Sequence, residues 1–235
     1  MPMHLGSKEL RMPTASSPTG SQYLQAVGAA LSCVYRGTDE VSYVGGGEGS
    51  TSEGEFFEAI NWAAREKLPA IFCIQNNRFA ISVPIEQQTA GASVYKVVQG
   101  FEGIHKFHID GTDFLESYAT AKEAVRLARN GEGPSFIYAD VVRLRSHSAS
   151  DSQDKYRSKE AIEKDTLKDP IAKLEKELVA RGIMTAEEID SVRKELNNFV
   201  IKSAEEAYAE PLPDPSTVED NLFCPDNEQT KISYE

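Results

Sequence analysis

Five residues, Gly45-Gly46-Gly47-Glu48-Gly49, constrain this chain more than any others. They follow a short β-pattern at Val41–Val44. They precede a helical pattern with Phe56, Ile60, Ala63 and Ala64 on one face. A strand that runs through glycines into a helix start leaves backbone N–H groups without intrahelical partners. Such a turn is a ready site for an anion. Two familiar glycine motifs fail here. The dinucleotide fingerprint wants a third glycine where Ser50 or Ser52 stands. The phosphate loop GxxxxGK[ST] wants lysine where Glu55 follows Gly54. Ser52, with Glu55 three residues on, reads as a capping box that opens the helix.

The flanking pattern is α/β. Leu24, Val27, Leu31 and Val34 fall on one face of a helix over 22–35. Strands are expected at 70–74, 104–109 and 135–142, and a helix from Asp113 to Arg129. The alternation predicts a mainly parallel sheet flanked by helices. Residues 1–20 read as irregular, and 143–169 as a long polar loop of the kind that carries function. Two helical patterns follow, at about 170–181 and 187–208, the second with Ile189, Val192, Leu196, Phe199 and Ser203 on one face. The domains expected are 1–169 as the α/β ligand-binding part, 170–210 as a helical C-terminal extension and 211–235 as a flexible tail or linker.

Charge narrows the ligand. The chain has 25 basic and 37 acidic residues, a net charge of −12. Nucleic acid is an unsuitable partner for that balance, and no apolar run approaches a membrane span. An anionic ligand must then be held by local devices. Cys33, Cys73 and Cys224 have no CxxC spacing, which points away from zinc and disulfides and toward a reducing, cytoplasmic setting. Cys33 and Cys73 read as small core residues. His4, His105 and His108 read as structural or surface groups, and Trp62 as packing. His147 differs, because it stands in a polar loop with no apolar neighbours.

Glu48 sits among N–H donors at the end of one expected strand, and Asn76-Asn77 ends the next. A hard divalent cation reconciles a carboxylate with an anionic ligand. Magnesium takes oxygen ligands and bridges carboxylates to phosphate oxygens. Glu48 can give one oxygen, an Asn amide a second and a backbone carbonyl just beyond it a third. Both groups lie at carboxyl ends of strands, where open α/β sheets bind ligands.

Gly-Glu-Gly-Ser-Thr-Ser-Glu-Gly-Glu-Phe (47–56) with Gln-Asn-Asn-Arg-Phe-Ala-Ile-Ser-Val-Pro (75–84) resembles the thiamine-diphosphate motif of 2-oxo acid dehydrogenases. The resemblance is to the alpha subunit of their decarboxylating first component. It extends through Ser-Ser-Pro-Thr-Gly-Ser-Gln (16–22), His-Ile-Asp-Gly-Thr-Asp (108–113), Arg-Ser-His-Ser-Ala-Ser-Asp (145–151) and Tyr-Arg-Ser (156–158), in order over about 1–223. The branched-chain, 2-oxoisovalerate type is most similar, in versions where alpha and beta portions are fused.

The resemblance implies the thiamine-diphosphate-binding fold and a set of roles. Glu48, the Asn77 side chain and the Phe79 carbonyl would hold Mg2+. The N–H groups of Gly49 and Ser50 would hold the diphosphate, and Ser17 would lie on the aminopyrimidine side. Ser16, Pro18, Ser21 and Gln22 match a structural K+ loop. His147 would touch the diphosphate end and assist transfer to the lipoyl group. Gln75 stands at the diphosphate where many members have Arg, and Ser146 replaces one histidine of a pair. The implied partners are a beta subunit or beta domain in an alpha2beta2 heterotetramer, the lipoyl domain of a dihydrolipoyl acyltransferase and a small 2-oxo acid. The glutamate that activates the aminopyrimidine lies on the beta subunit in this family. Members also carry well over a hundred residues before the Met-Pro-Met-His element (1–4), including a Tyr-Arg pair on the diphosphate, so the chain reads as truncated. Ser148 occupies a position phosphorylated in animal relatives, and modification is not expected here. Pyruvate and acetoin enzymes share these motifs. Two other readings are a non-catalytic scaffold that docks a beta-type chain, and a nicotinamide-dependent dehydrogenase, which the absent fingerprint glycines disfavour.

Overall fold

A computed structural model of the chain describes residues 4–14 and 16–220. Cys224, the tail beyond residue 220 and the first three residues of the Met-Pro-Met-His element lie outside the described residues. Packing divides the chain into a unit over 1–177 and a second over 178–235.

The first unit is built on four parallel strands: β1 (Ser42–Gly47), β2 (Ala70–Asn76), β5 (His105–Asp110) and β6 (Ser135–Asp140), in the order β1-β2-β6-β5. Alternation along each strand feeds two cores, because successive side chains point to opposite faces. On one face Val44, Phe72, Ile74, Phe136 and Tyr138 meet α1 (Gln22–Arg36), α2 (Gly54–Arg65) and α4 (Val94–Val98). On the other, Ile71, Ile109, Ile137 and Ala139 meet Ala124 of α5 (Phe114–Arg129). The expected parallel α/β sheet is present. A small antiparallel hairpin, β3 (Phe79–Ala80) and β4 (Val83–Pro84), follows β2 and leads into α3 (Ile85–Gln88).

Several local expectations need correcting. The buried stripe of α1 is Tyr23, Val27, Ala30 and Cys33, whereas Val34 is exposed. The stripe is centred one residue earlier than expected, and Leu24 and Leu31 lie at its edge, partly buried against the same core. Ser52 does not cap α2. A 3-10 turn (Glu48–Ser52) intervenes, the N-cap position falls on Glu53, and no side chain caps it. The segment 143–169 is not all loop, since it contains α6 (Lys159–Thr166), capped by the Ser158 hydroxyl on the Ala161 N–H.

The boundary between the first unit and the second falls within helix α7 (Pro170–Ala180). The second holds α8 (Ala186–Ala209), whose expected apolar face is exposed at Val192, Leu196 and Phe199. A true capping box opens α8: Thr185 accepts from the Glu188 N–H at 3.2 Å, and Glu188 accepts from the Thr185 N–H at 2.8 Å. Thr185→Ala should cost about 1 kcal/mol of helix stability. Faster hydrogen exchange confined to the first turn of α8 would register it. Among the described residues no helix is long and apolar enough to cross a membrane.

Candidate functional site

Strands β1 and β2 pair from Ser42–Ala70 to Gly47–Gln75, so their carboxyl ends lie side by side. That register carries Glu48 to the end of β2. Glu48 is fully buried. Its Oε2 accepts from the Asn77 N–H at 3.1 Å, and its Oε1 has no hydrogen-bond partner among the described residues. Burial pushes its pKa up. The Asn77 and Phe79 N–H groups and the Arg143 charge oppose that shift without cancelling it. A buried carboxylate with an open oxygen is costly unless a cation or a proton meets it.

The turn after β2 is held tightly. Asn76 Oδ1 accepts from the Arg78 N–H at 3.1 Å, and Asn77 Oδ1 from the Phe79 N–H at 3.2 Å. Arg78 takes a left-handed φ of 72°, uncommon for a residue with a Cβ. Gly49 lies against the hairpin, where an added Cβ would fall 2.8 Å from that of Ala80. Gly49 and Ser50 occupy the first turn of the 3-10 segment, whose amides its own ladder does not consume. Ser50 Oγ donates to the Gly47 carbonyl at 2.7 Å and meets the Tyr23 hydroxyl at 2.5 Å.

The other expected residues fall in two places. Near the amino end, Ser16 Oγ meets Ser21 Oγ, and Ser21 Oγ donates to the Pro18 carbonyl at 2.8 Å. Gln22 Oε1 accepts from the Gly20 N–H at 3.1 Å, so Ser16, Pro18, Ser21 and Gln22 form one loop. Ser17 Oγ meets His4 Nε2 at 2.9 Å. Gln75 is exposed on β2. At the other place, His147 is exposed, and its N–H donates to Asp151 at 2.8 Å. Asp151 also accepts from the Tyr156 hydroxyl at 2.6 Å, which holds its carboxyl below the usual range. Arg143 donates to Tyr156 at 2.6 Å and to the Ile81 carbonyl at 2.7 Å. The guanidinium of Arg143 and that of the buried Arg157 each lie 5.3 Å from the Phe79 ring. The His147 loop is thereby tied to the residue whose carbonyl was expected at the metal.

Some residues of the site were not expected from sequence. Gln88 donates to the Glu48 carbonyl at 2.9 Å and to Ser52 Oγ at 3.2 Å, which is where the Ser52 hydroxyl goes instead of capping α2. Tyr138 is buried beside Asp140 and Glu48, and its pKa is pushed up to about 12. Neither residue carries a motif signal, because both act from elements distant in sequence. Among the described residues no three His, Cys, Asp or Glu side chains gather as a metal site. A set of one carboxylate, one amide and one carbonyl is of a different kind, and the open Glu48 oxygen fits it.

A family model described as "Dehydrogenase E1 component" matches residues 1–216. The 2-oxoisovalerate dehydrogenase subunit alpha of Bacillus subtilis is 36% identical over 224 residues, covering 95% of this chain and 68% of that protein. The pyruvate dehydrogenase E1 component subunit alpha of the same organism is 38% identical over 195 residues, covering 82% of this chain and 52% of its own. A solved structure from Mycobacterium smegmatis, provisionally described as a thiamin diphosphate-dependent enzyme, shares 28% identity over 56% of this chain and 24% of its own, with a TM-score of 0.44.

Proposed function

The chain belongs to the dehydrogenase E1 component family, and from that premise we propose that it is the alpha-type part of a thiamine-diphosphate-dependent 2-oxo acid dehydrogenase, of the branched-chain type, supplying the diphosphate and Mg2+ half of the site. One observation carries the reading: the fully buried Glu48 carboxylate, with one oxygen on Asn77 and the other open. Glu48, Asn77 Oδ1 and the Phe79 carbonyl hold the magnesium. The Gly49 and Ser50 N–H groups hold the diphosphate, with Gln75 beside it and Ser17 toward the aminopyrimidine. When bound, the cofactor supplies the electron sink for decarboxylation. A structural K+ takes the Ser16, Pro18, Ser21 and Gln22 loop. A beta-type chain, in an alpha2beta2 assembly, brings the glutamate that activates the aminopyrimidine, and the lipoyl domain of an acyltransferase accepts the product.

Isothermal titration of the full chain with thiamine diphosphate, with and without Mg2+, tests the cofactor reading, and binding unaffected by Mg2+ would sink it. The assembled enzyme is then offered 2-oxoisovalerate and pyruvate. Relatives named for either acid match this chain, so a preference for pyruvate would correct the substrate and leave the chemistry standing.

His147 is the group that holds or gives a proton during transfer to the lipoyl group. An imidazole suits that task near neutral pH. His147→Ala should lower lipoyl acylation by about 10²–10⁴-fold and leave Mg2+-dependent cofactor binding measurable. Unchanged acylation would remove the role.

A further inference from the structure

The turn that presents Asn77 and Phe79 is braced from two neighbouring strands. Asn76 ends β2 in register with Asp140 at the end of β6, and His108 lies on β5 beyond it. Asp140 accepts from both: Asn76 Nδ2 donates to Oδ1 at 2.7 Å, and His108 Nε2 donates to Oδ2 at 2.7 Å. An ionised carboxylate only accepts. Asn76 must therefore turn its NH2 group toward Asp140 and its Oδ1 away from it. That oxygen receives the Arg78 N–H at 3.1 Å and holds Arg78 at its left-handed φ of 72°. The residues on either side of Arg78 then fall into place. Asn77 gives its N–H to Glu48, and Phe79 gives its own to Asn77 Oδ1. The His108 ring is confined by Tyr95 of α4, 4.9 Å away, and Tyr138 of β6, 5.2 Å away.

We propose that His108 and Asp140 are positioning residues: they set the orientation of the Asn76 amide, and the amide fixes the Arg78 turn that aims Asn77 and Phe79 at Glu48. Asn76 with its NH2 reversed would face the Arg78 N–H with a donor, and the turn would lose its clamp. The ligand-aiming part of this inference rests on the metal reading above, whereas the brace itself rests on the hydrogen bonds alone. Neither residue belongs to the glycine-acid-glycine or Asn-Asn motif. From its sequence context alone His108 is expected to be a structural or surface group.

Both side chains are about half exposed, 44% and 52%, so replacing them leaves the core intact. The test uses the full chain and three variants, Asp140→Ala, His108→Leu and His108→Gln. Amide exchange followed by NMR on the metal-free chain reports the clamp. Titration with Mn2+ in the presence of thiamine diphosphate reports the aim. Asp140→Ala and His108→Leu should speed exchange of the Arg78 amide by about 10-fold, as expected for one lost hydrogen bond. They should weaken Mn2+ binding by about 10-fold or more, the usual effect of losing an outer partner of a ligand. His108→Gln keeps an N–H donor and should stay within about twofold of the parent. Wild-type exchange in Asp140→Ala would overturn the proposal. So would equal effects of His108→Leu and His108→Gln, which would make the ring a filler. If Asp140→Ala does not fold, the two His108 variants still decide. If the parent chain binds no Mn2+ with the cofactor, the metal reading falls, and the exchange comparison still settles the brace.

Discussion

E48Q is expected to weaken Mg2+-dependent binding of thiamine diphosphate by more than about 100-fold, beyond the range seen for outer partners of metal ligands. The same change should stabilise the metal-free chain. Both effects have one cause. Burial raises the Glu48 pKa above its ordinary value, and the N–H donors and Arg143 compensate only in part. The unfolded chain ionises this carboxyl in the ordinary range, whereas the folded, metal-free chain resists doing so. Stability is therefore highest with Glu48 protonated. It falls as pH rises from the ordinary value to the raised one, and the loss is complete above that. The amide of E48Q still accepts from the Asn77 N–H and carries no charge to bury. Its melting temperature at neutral pH should exceed that of the parent, by about 2–4 °C for each kcal/mol recovered in a chain of this size. Melting curves between pH 4 and 8, with and without Mg2+ and cofactor, separate the outcomes. A lower melting temperature for E48Q at every pH would mean that the carboxylate is a structural group with a partner of its own.

That carboxylate was legible in the sequence because its neighbours are local. Glycines flank it, a strand leads in, and the Asn pair ends the next strand. The parallel pairing of β1 and β2 then requires the two ends to meet. What could not be read are contacts made across the fold by residues of ordinary type. Gln88 reaches the Glu48 carbonyl from α3. Asp140 reaches Asn76 across 64 positions of sequence. No spacing rule encodes such pairs, since the sheet order β1-β2-β6-β5 decides them. The Ser52 capping box failed for a related reason. Serine followed by Glu three residues later is a sound local signal, but a 3-10 turn at the site took the Ser52 hydroxyl for Gln88 and moved the helix start to Gly54. The same signal at the exposed Thr185 and Glu188 produced the box it describes.

The glycines of β1 do not do equal work, and G46A should be far more harmful than G45A or G47A. A Cβ on Gly46 would fall 2.1 Å from the Tyr23 hydroxyl oxygen, 3.0 Å from Tyr23 Cζ and 2.8 Å from Ser50 Oγ. Tyr23 cannot readily withdraw. It is fully buried, its ring packs edge-on to Phe56 at 5.1 Å, and its hydroxyl is held on Ser50 at 2.5 Å. Overpacking a filled core costs about 1–3 kcal/mol. Losing a buried hydroxyl's partner adds about 1–3 kcal/mol. The sum corresponds to a fall in melting temperature on the order of 10 °C. At Gly47 the nearest atom to an added Cβ is the Gln75 carbonyl oxygen at 3.9 Å, and at Gly45 the Tyr43 hydroxyl at 3.6 Å. Both positions have room, and alanine there restricts the unfolded chain, a gain of about 0.4–1 kcal/mol. The signs should therefore differ along three consecutive residues. The Gly46 effect also reaches the 3-10 turn at Glu48–Ser52, because Ser50 Oγ bridges Tyr23 and the Gly47 carbonyl. Removing the Tyr23 hydroxyl removes the shortest clash, so Y23F should recover part of the stability lost in G46A. Strict additivity of the two changes would mean that something other than Tyr23 demands the glycine, because contacting residues that share one cause of strain couple.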